Sequence, residues 1–187
     1  MNKSVAIFCS ANERIDPLFF RRTQELGEFM GRNGYTLVFG GCDMGLMECV
    51  AKAVKEAGGH TVGVIPSKIE EHGHISQYVD EKIFVSNLSE RKDVMLERSD
   101  VFVALPGGIG TLDEIFTVAA SSTIGYHSKK IILYNVNGCW DKLIEVIENM
   151  QANNFIRGNY KQYFLVANTP EEMKSILTDC FHPTLFS

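Results

Sequence analysis

The chain of 187 residues is 45% apolar and 22% charged, with a net charge of −5. That is the profile of one globular domain long enough to bury a full core. The acidic balance lacks the basic face by which nucleic-acid binders are recognised, so no nucleic acid is expected as a partner. Cys9, Cys42, Cys49, Cys139 and Cys180 are odd in number and include no C-x-x-C pair, which points to reduced thiols in a cytoplasmic protein rather than to disulfides or zinc.

The first apolar stretch, residues 5–9, reads as a strand. It is too short for a signal peptide, and no later run could span a membrane. Asp16-Pro17 supplies an N-cap and a first-turn proline for a helix over 17–33, stopped by Gly34. Residues 36–39 form a second strand, 45–57 a second helix and 61–65 a third strand that halts at Pro66. Residues 67–81, with His72, His74 and four acids, read as a surface loop.

A fourth strand follows at 82–85, and Asn87-x-x-Glu90 resembles a capping box for a helix to Arg98. Residues 101–105 make the fifth strand, with its helix from Thr111 to about Ile124. Strand six spans 131–134 and its helix 140–150, and a last strand falls at 163–166. Thr169-Pro170-Glu171-Glu172 then caps the closing helix.

Several strands are apolar throughout rather than alternating, the sign of burial on both faces. Helices between them imply parallel pairing with right-handed crossovers. The expected fold is therefore a Rossmann-like, doubly wound, mostly parallel sheet in a three-layer α/β/α sandwich, a single domain over 1–187. In such sheets ligands bind beyond the carboxyl ends of the strands, where the strand order reverses.

Two glycine-rich turns fall at such ends. The more informative is Leu105-Pro106-Gly107-Gly108-Ile109-Gly110-Thr111-Leu112-Asp113-Glu114. Glycines let backbone amides approach a ligand, and a helix N-terminus offers unpaired N–H groups to an anion, so a phosphate suits it. The other, Gly40-Gly41-Cys42-Asp43-Met44-Gly45-Leu46-Met47, reads either as a tight strand-to-helix turn or as a second wall of the same crevice. The first turn of the chain, Cys9-Ser10-Ala11-Asn12-Glu13, lacks G-x-G-x-x-G, which weakens an ordinary NAD site.

Glu114 has two readings. Thr111-x-x-Glu114 fits a capping box, in which the glutamate only bonds back to the Thr111 amide. A carboxylate beside a phosphate site otherwise repels the ligand, and then suggests chemistry. Asp113 can simply be an acid favoured by the helix dipole. Arg91 and Lys92 open a helix against its dipole, which hints at an anionic partner, although a surface pair with Glu90 or Glu97 also explains Arg91. His72, His74 and His127 read as polar loop residues, and Trp140 as core, while Tyr126 and Trp140 could also stack on a base.

Glu90-Arg91-Lys92 followed by Pro106-Gly107-Gly108-Ile109-Gly110-Thr111-Leu112-Asp113-Glu114 resembles the Lonely Guy (LOG) family, whose hallmark is an Arg-Lys pair upstream of P-G-G-x-G-T-x-x-E. The resemblance runs from about residue 5 to 177 and includes Gly45-Leu46-Met47 and Gly63-Val64-Ile65-Pro66. It implies a Rossmann-like homodimer that hydrolyses the N-glycosidic bond of a nucleoside 5′-monophosphate, releasing a free base and ribose 5-phosphate. By the same resemblance Arg91 and Glu114 are catalytic. Lys92, Gly107, Gly108, Ile109, Gly110, Thr111, Leu112 and Asp113 would line the nucleotide site, with Gly41, Gly45 and Met47.

The chemistry so implied calls for neither metal nor cofactor, because the phosphate is a handle rather than the reacting group. Members often carry the label lysine decarboxylase, which nothing in this chain supports: it is short for such an enzyme, and no lysine stands out as a Schiff-base site. The chain departs from the family at Cys9-Ser10-Ala11-Asn12, Cys42, Glu48, residues 120–125 and Lys129-Lys130. These departures leave the choice of base open between adenine and an N6-modified adenine. A second function class stays open as well, a non-catalytic carrier of a nucleotide or molybdenum cofactor on the same fold.

Overall fold

A computed structural model describes residues 3–182. Seven strands alternate with seven α-helices: β1 (Ser4–Phe8), α1 (Pro17–Arg32), β2 (Thr36–Phe39), α2 (Gly45–Glu56), β3 (His60–Pro66), α3 (Ser67–Glu71), β4 (Glu81–Val85), α4 (Leu88–Arg98), β5 (Val101–Ala104), α5 (Ile109–Thr123), β6 (Ile131–Tyr134), α6 (Asp141–Ala152), β7 (Phe164–Ala167) and α7 (Pro170–Phe181). The strands form one sheet in the order β4-β3-β2-β1-β5-β6-β7, parallel throughout. The order reverses between β1 and β5, where Phe8 stands opposite Ala104.

Alternate residues of the central strands feed two cores. Val5, Ile7, Val101 and Val103 pack with Leu26 and Met30 of α1, Leu46 and Val50 of α2 and Leu177 of α7. Ala6, Phe8, Phe102 and Ala104 face the other way, onto Met95 of α4, Ile115 and Val118 of α5 and Ile147 of α6. This is the doubly wound sandwich that continuous apolar strands require. Fully apolar strands are the consequence of helices on both faces, since neither face meets water.

The helix ends follow their caps. Asp16 accepts from the Leu18 amide, Asn87 from the amides of Ser89 and Glu90, and Thr169 from that of Glu172. Glu90 and Glu172 each reach one residue further back than a capping box requires, to the amides of Ser86 and Asn168. The segment expected as a loop over 67–81 contains the five-residue α3, none of whose residues is buried. With no apolar stripe to bury, its sequence had no helical period to read. Strand β7 sits one residue later than expected, and Tyr163 joins the sheet only through its carbonyl, which accepts from the Ile131 amide at 3.0 Å.

Helices α1 and α2 cross in close contact because of two glycines. A Cβ on Gly27 would lie 2.6 Å from the Ala53 Cβ, and one on Gly31 2.6 Å from both the Val54 carbonyl oxygen and the Ala57 Cβ. No rotamer can relieve a clash with backbone. Gly31→Ala is therefore expected to destabilise the fold by about 1–3 kcal/mol, read as a melting temperature lower by several degrees.

Candidate functional site

The site forms where the sheet order reverses. The Ser10 amide donates to the Pro106 carbonyl at 3.1 Å, extending the β1–β5 pairing into the two loops. The Ser10 carbonyl in turn accepts from the Leu46 amide at 2.9 Å, which draws the start of α2 over the same edge. Gly45, in the left-handed region at φ +57°, makes this approach possible: a Cβ there would lie 2.5 Å from the Ala11 carbonyl carbon. Gly41, at φ +72°, is pressed equally close to Ile65. The second glycine turn is thus a packed strand-to-helix connection and also one wall of the crevice.

Helix α5 starts two residues earlier than its sequence predicts, at Ile109, with Gly108 in the cap position and no side chain capping it. Its first-turn N–H groups are the ones an anion would meet. Thr111 is buried, and its hydroxyl turns back against Gly107, whose added Cβ would sit 2.1 Å from the Oγ1. Gly108 and Gly110, by contrast, face open space. Ile109 is 87% exposed, and Leu112 packs against the core. Those two residues offer the crevice backbone rather than side chain.

The early start also removes Glu114 from any capping box, since the cap residue is Gly108 and not Thr111. The side chain of Glu114 is 8% exposed, and its Oε1 lies 3.0 Å from a terminal nitrogen of Arg91 on α4. Arg91 therefore does not pair with Glu90 or Glu97 on the surface; the anion that balances it is Glu114. Its guanidinium rests on Gly40, where a Cβ would fall 2.3 Å from the Nη2 and 3.3 Å from the Met47 sulfur. Glycine at 40 is what lets the arginine in. The Nε of Arg91 is buried without a hydrogen-bond partner.

One residue on, Lys92 donates to both carboxylate oxygens of Asp113 at 2.8 Å. Burial pushes the Glu114 carboxyl above the usual carboxylate range; Arg91 opposes the rise, Asp113 adds to it and Lys92 opposes it. The Cys9 thiol, at the end of β1, is raised well above its ordinary value by burial first and then by Glu114. A desolvated carboxylate held by one guanidinium makes Glu114 a candidate functional group.

Beside the glycine turn lies a cleft of about 290 Å³ lined by Ser10, Ile15, Phe19, Pro106, Gly107, Gly108, Cys139 and Trp140. Trp140 is core as expected, its Nε1 donating to the Ala104 carbonyl at 3.2 Å, and it also walls this cleft. Ile15, Phe19 and Cys139 carry no sequence signal that places them at this cleft. Only the bend of the β1–α1 and β6–α6 connections brings them here.

Among the histidines, His127 is structural. Its Nδ1 accepts from the Lys129 amide, and its Nε2 lies 3.1 Å from the Val118 carbonyl, closing the end of α5. His74 pairs with Asp43 at 3.1 Å and ties its loop to the glycine turn. No cluster of three His, Cys, Asp or Glu able to hold a metal occurs among the described residues, and no described helix is long and apolar enough to cross a membrane.

Fold and site together define the class: a Rossmann-like α/β protein that gathers its polar groups at the switch point. A family model described as "Possible lysine decarboxylase" matches residues 47–177. The cytokinin riboside 5′-monophosphate phosphoribohydrolase LOG5 of Arabidopsis thaliana is 34% identical over 171 residues, 91% of this chain and 75% of its own length. The probable enzyme of the same name LOGL9 of Oryza sativa subsp. japonica is 37% identical over 165 residues, 88% of this chain and 73% of its own. The chain belongs to the Lonely Guy (LOG) family, whose relatives of this kind are hydrolases.

Solved structures of the same fold include a Moco carrier protein from Chlamydomonas reinhardtii, with a TM-score of 0.77 at 22% identity over 98% of this chain and 99% of that one. A molybdenum cofactor binding protein from the phototrophic bacterium Rippkaea orientalis has a TM-score of 0.74 at 24% identity, covering 97% and 98%.

Breaking the buried pair from one side is costly, because the partner charge remains in the interior. Arg91→Met is expected to lower stability by about 3–5 kcal/mol near neutral pH. With Arg91 gone, nothing of comparable size opposes the upward push of burial on Glu114. A carboxyl whose folded-state pKa lies above its unfolded one gives stability at low pH that is lost as pH rises between those values. The deficit of Arg91→Met should therefore shrink on acidification, which melting curves of variant and wild type at pH 5 and pH 8 would measure.

Proposed function

We propose that this protein hydrolyses the N-glycosidic bond of a nucleoside 5′-monophosphate, of the AMP or cytokinin riboside monophosphate type, to a free base and ribose 5-phosphate. The observation that carries the reading is Glu114: a buried carboxylate, held by Arg91 at 3.0 Å, on the same helix whose uncapped N-terminus follows Gly107-Gly108. An anionic ligand at that N-terminus and a carboxylate further along the helix define a phosphorylated substrate with a reacting centre some way from its phosphate.

Departure of the base leaves positive charge on the ribose ring as the bond from C1′ to the base nitrogen stretches. Glu114 stabilises that charge and takes a proton from the water that attacks C1′, while the bonding electrons leave with the base; that proton passes on through solvent to the base, so one water is added across the bond and Glu114 is regenerated. The amides of residues 108–111 and the Thr111 hydroxyl hold the 5′-phosphate. Arg91 holds Glu114 in place and opposes the upward push of burial on its carboxyl.

Ile109 and Phe116 of α5 and Ile124 just past its end, spaced seven and eight residues apart, share one exposed apolar face, with Leu88 exposed at the start of α4. This face fits a second copy of the chain, as a homodimer. Ile124→Asp should then shift the protein to monomer in light scattering.

Incubation with AMP and with isopentenyladenosine monophosphate, followed by chromatography, tests the activity. Wild type should release free base and ribose 5-phosphate. Glu114→Gln should lose about 10²–10⁴-fold in kcat with little change in nucleotide Kd. Binding without turnover by wild type would instead favour a carrier, the role named for the Chlamydomonas reinhardtii protein.

A further inference from the structure

The connection from β3 to β4 fastens onto the second glycine turn at one place. Past α3 it turns at Gly73, in the left-handed region at φ +71°, and residues 74–76 then run antiparallel to residues 41–43, with Ile75 opposite Cys42. Two backbone bonds make this bridge. The Ser76 amide donates to the Gly41 carbonyl at 2.9 Å, and the Asp43 amide to the His74 carbonyl at 3.3 Å. One side-chain pair closes it, with His74 Nδ1 lying 3.1 Å from an Asp43 carboxylate oxygen. Among the described residues, residues 41–43 make no other backbone-to-backbone hydrogen bond.

The turn so held is the one that seats Arg91. Its guanidinium lies against Gly40, where a side chain would leave it no room. Gly41, the next residue, is pressed on Ile65 from inside and held from outside by Ser76. At the other end of the turn, Gly45 and Leu46 are fixed against residues 10–11. Residues 41–43 between these ends depend on residues 74–76.

We propose that His74 and Asp43 are positioning residues: their side-chain bond clamps residues 41–43 and so keeps the Gly40 seat where Arg91 reaches Glu114, without either side chain touching the nucleotide. The proposal rests on the reading of Glu114 as the catalytic carboxylate.

The side-chain bond matters here because the backbone ties are few. A bridge of one residue pair has no ladder on either side, and one of its two bonds is long at 3.3 Å. Helix α3, across Gly73, has no buried residue and supplies no anchor. The His74 and Asp43 side chains are themselves 50% and 35% exposed, so their pairing adds little to global stability. Its effect is local. Deleting it should loosen the turn and leave the fold standing.

Steady-state kinetics test this with wild type, His74→Phe, Asp43→Ala, the double variant and His74→Gln. Each of the first two variants loses the side-chain bond, and kcat should fall about 3–10-fold, the range of one lost hydrogen bond, with KM little changed. The double variant should be no slower than the slower single one, because both changes delete the same bond. His74→Gln, whose amide can donate to Asp43, should recover most of the rate. His72→Phe, on the same connection but outside the bridge, should match wild type.

Additive losses in the double variant would overturn the proposal, as would a raised KM at unchanged kcat, the signature of direct substrate contact. Wild-type kinetics in both single variants would overturn it too. If wild type turns over no nucleotide, the function proposed above fails, yet the clamp can still be read at Arg91. Its Nε–H is buried without a partner, and nitrogen NMR, assigned with Arg91→Met, follows the exchange of that proton with water. His74→Phe and Asp43→Ala should each speed this exchange about 3–10-fold at an unchanged melting temperature. Unchanged exchange would reject the proposal independently of activity. Faster exchange with a melting temperature lower by several degrees would reject it as well, since the whole fold would then have loosened.

Discussion

Everything at the crevice depends on placing one guanidinium in the interior. Arg91 can lie against the end of β2 only because residue 40 has no side chain, and it stays there only because Glu114 supplies the opposite charge at 3.0 Å. Each charge is the reason the other can be buried. Such a pair is weak evidence of stability, because apolar residues could fill the same space at less cost. Its presence at the switch point is therefore not accounted for by stability.

The surrounding fold holds this pair from two directions. The β1–β5 register brings the Ser10 and Pro106 loops together, and the Ser10 carbonyl then fastens the start of α2. The helices that carry Arg91 and Glu114 lie on the opposite face from α1, α2 and α7, each layer with its own core. A change in either core thus reaches the crevice through a different loop. The glycines at 40, 41, 45 and 107 each stand against a close neighbour, respectively Arg91, Ile65, the Ala11 backbone and Thr111, and none leaves room for a methyl group.

Much of this was legible in the sequence, for identifiable reasons. Continuous apolar strands and capped helices announce a parallel sheet, because both signals are local. The P-G-G-x-G-T-x-x-E run marks its own turn. Spacing alone could not exclude a capping role for Glu114, since Thr111-x-x-Glu114 also reads as a cap; that reading falls because α5 begins at Ile109, with the Gly108 carbonyl accepting from the Leu112 amide. The partner of Arg91 was hidden for a different reason. It lies 23 positions away in the chain, and only the packing of α4 on α5 brings the two together. Short α3 and the cleft residues Ile15, Phe19 and Cys139 were illegible, because neither periodicity nor residue type distinguishes them.

One helix carries both the uncapped N-terminus and the buried carboxylate. The six-residue step from Gly108 to Glu114 therefore acts as a rigid ruler of about 9 Å at 1.5 Å per residue, and as an angular gauge of about 100° per residue. A chain with one residue added or lost in that interval would turn the carboxylate away from Arg91 and toward a different neighbour. The spacing within this motif is thus fixed by helical pitch, so substitutions can accumulate along α5 where insertions cannot.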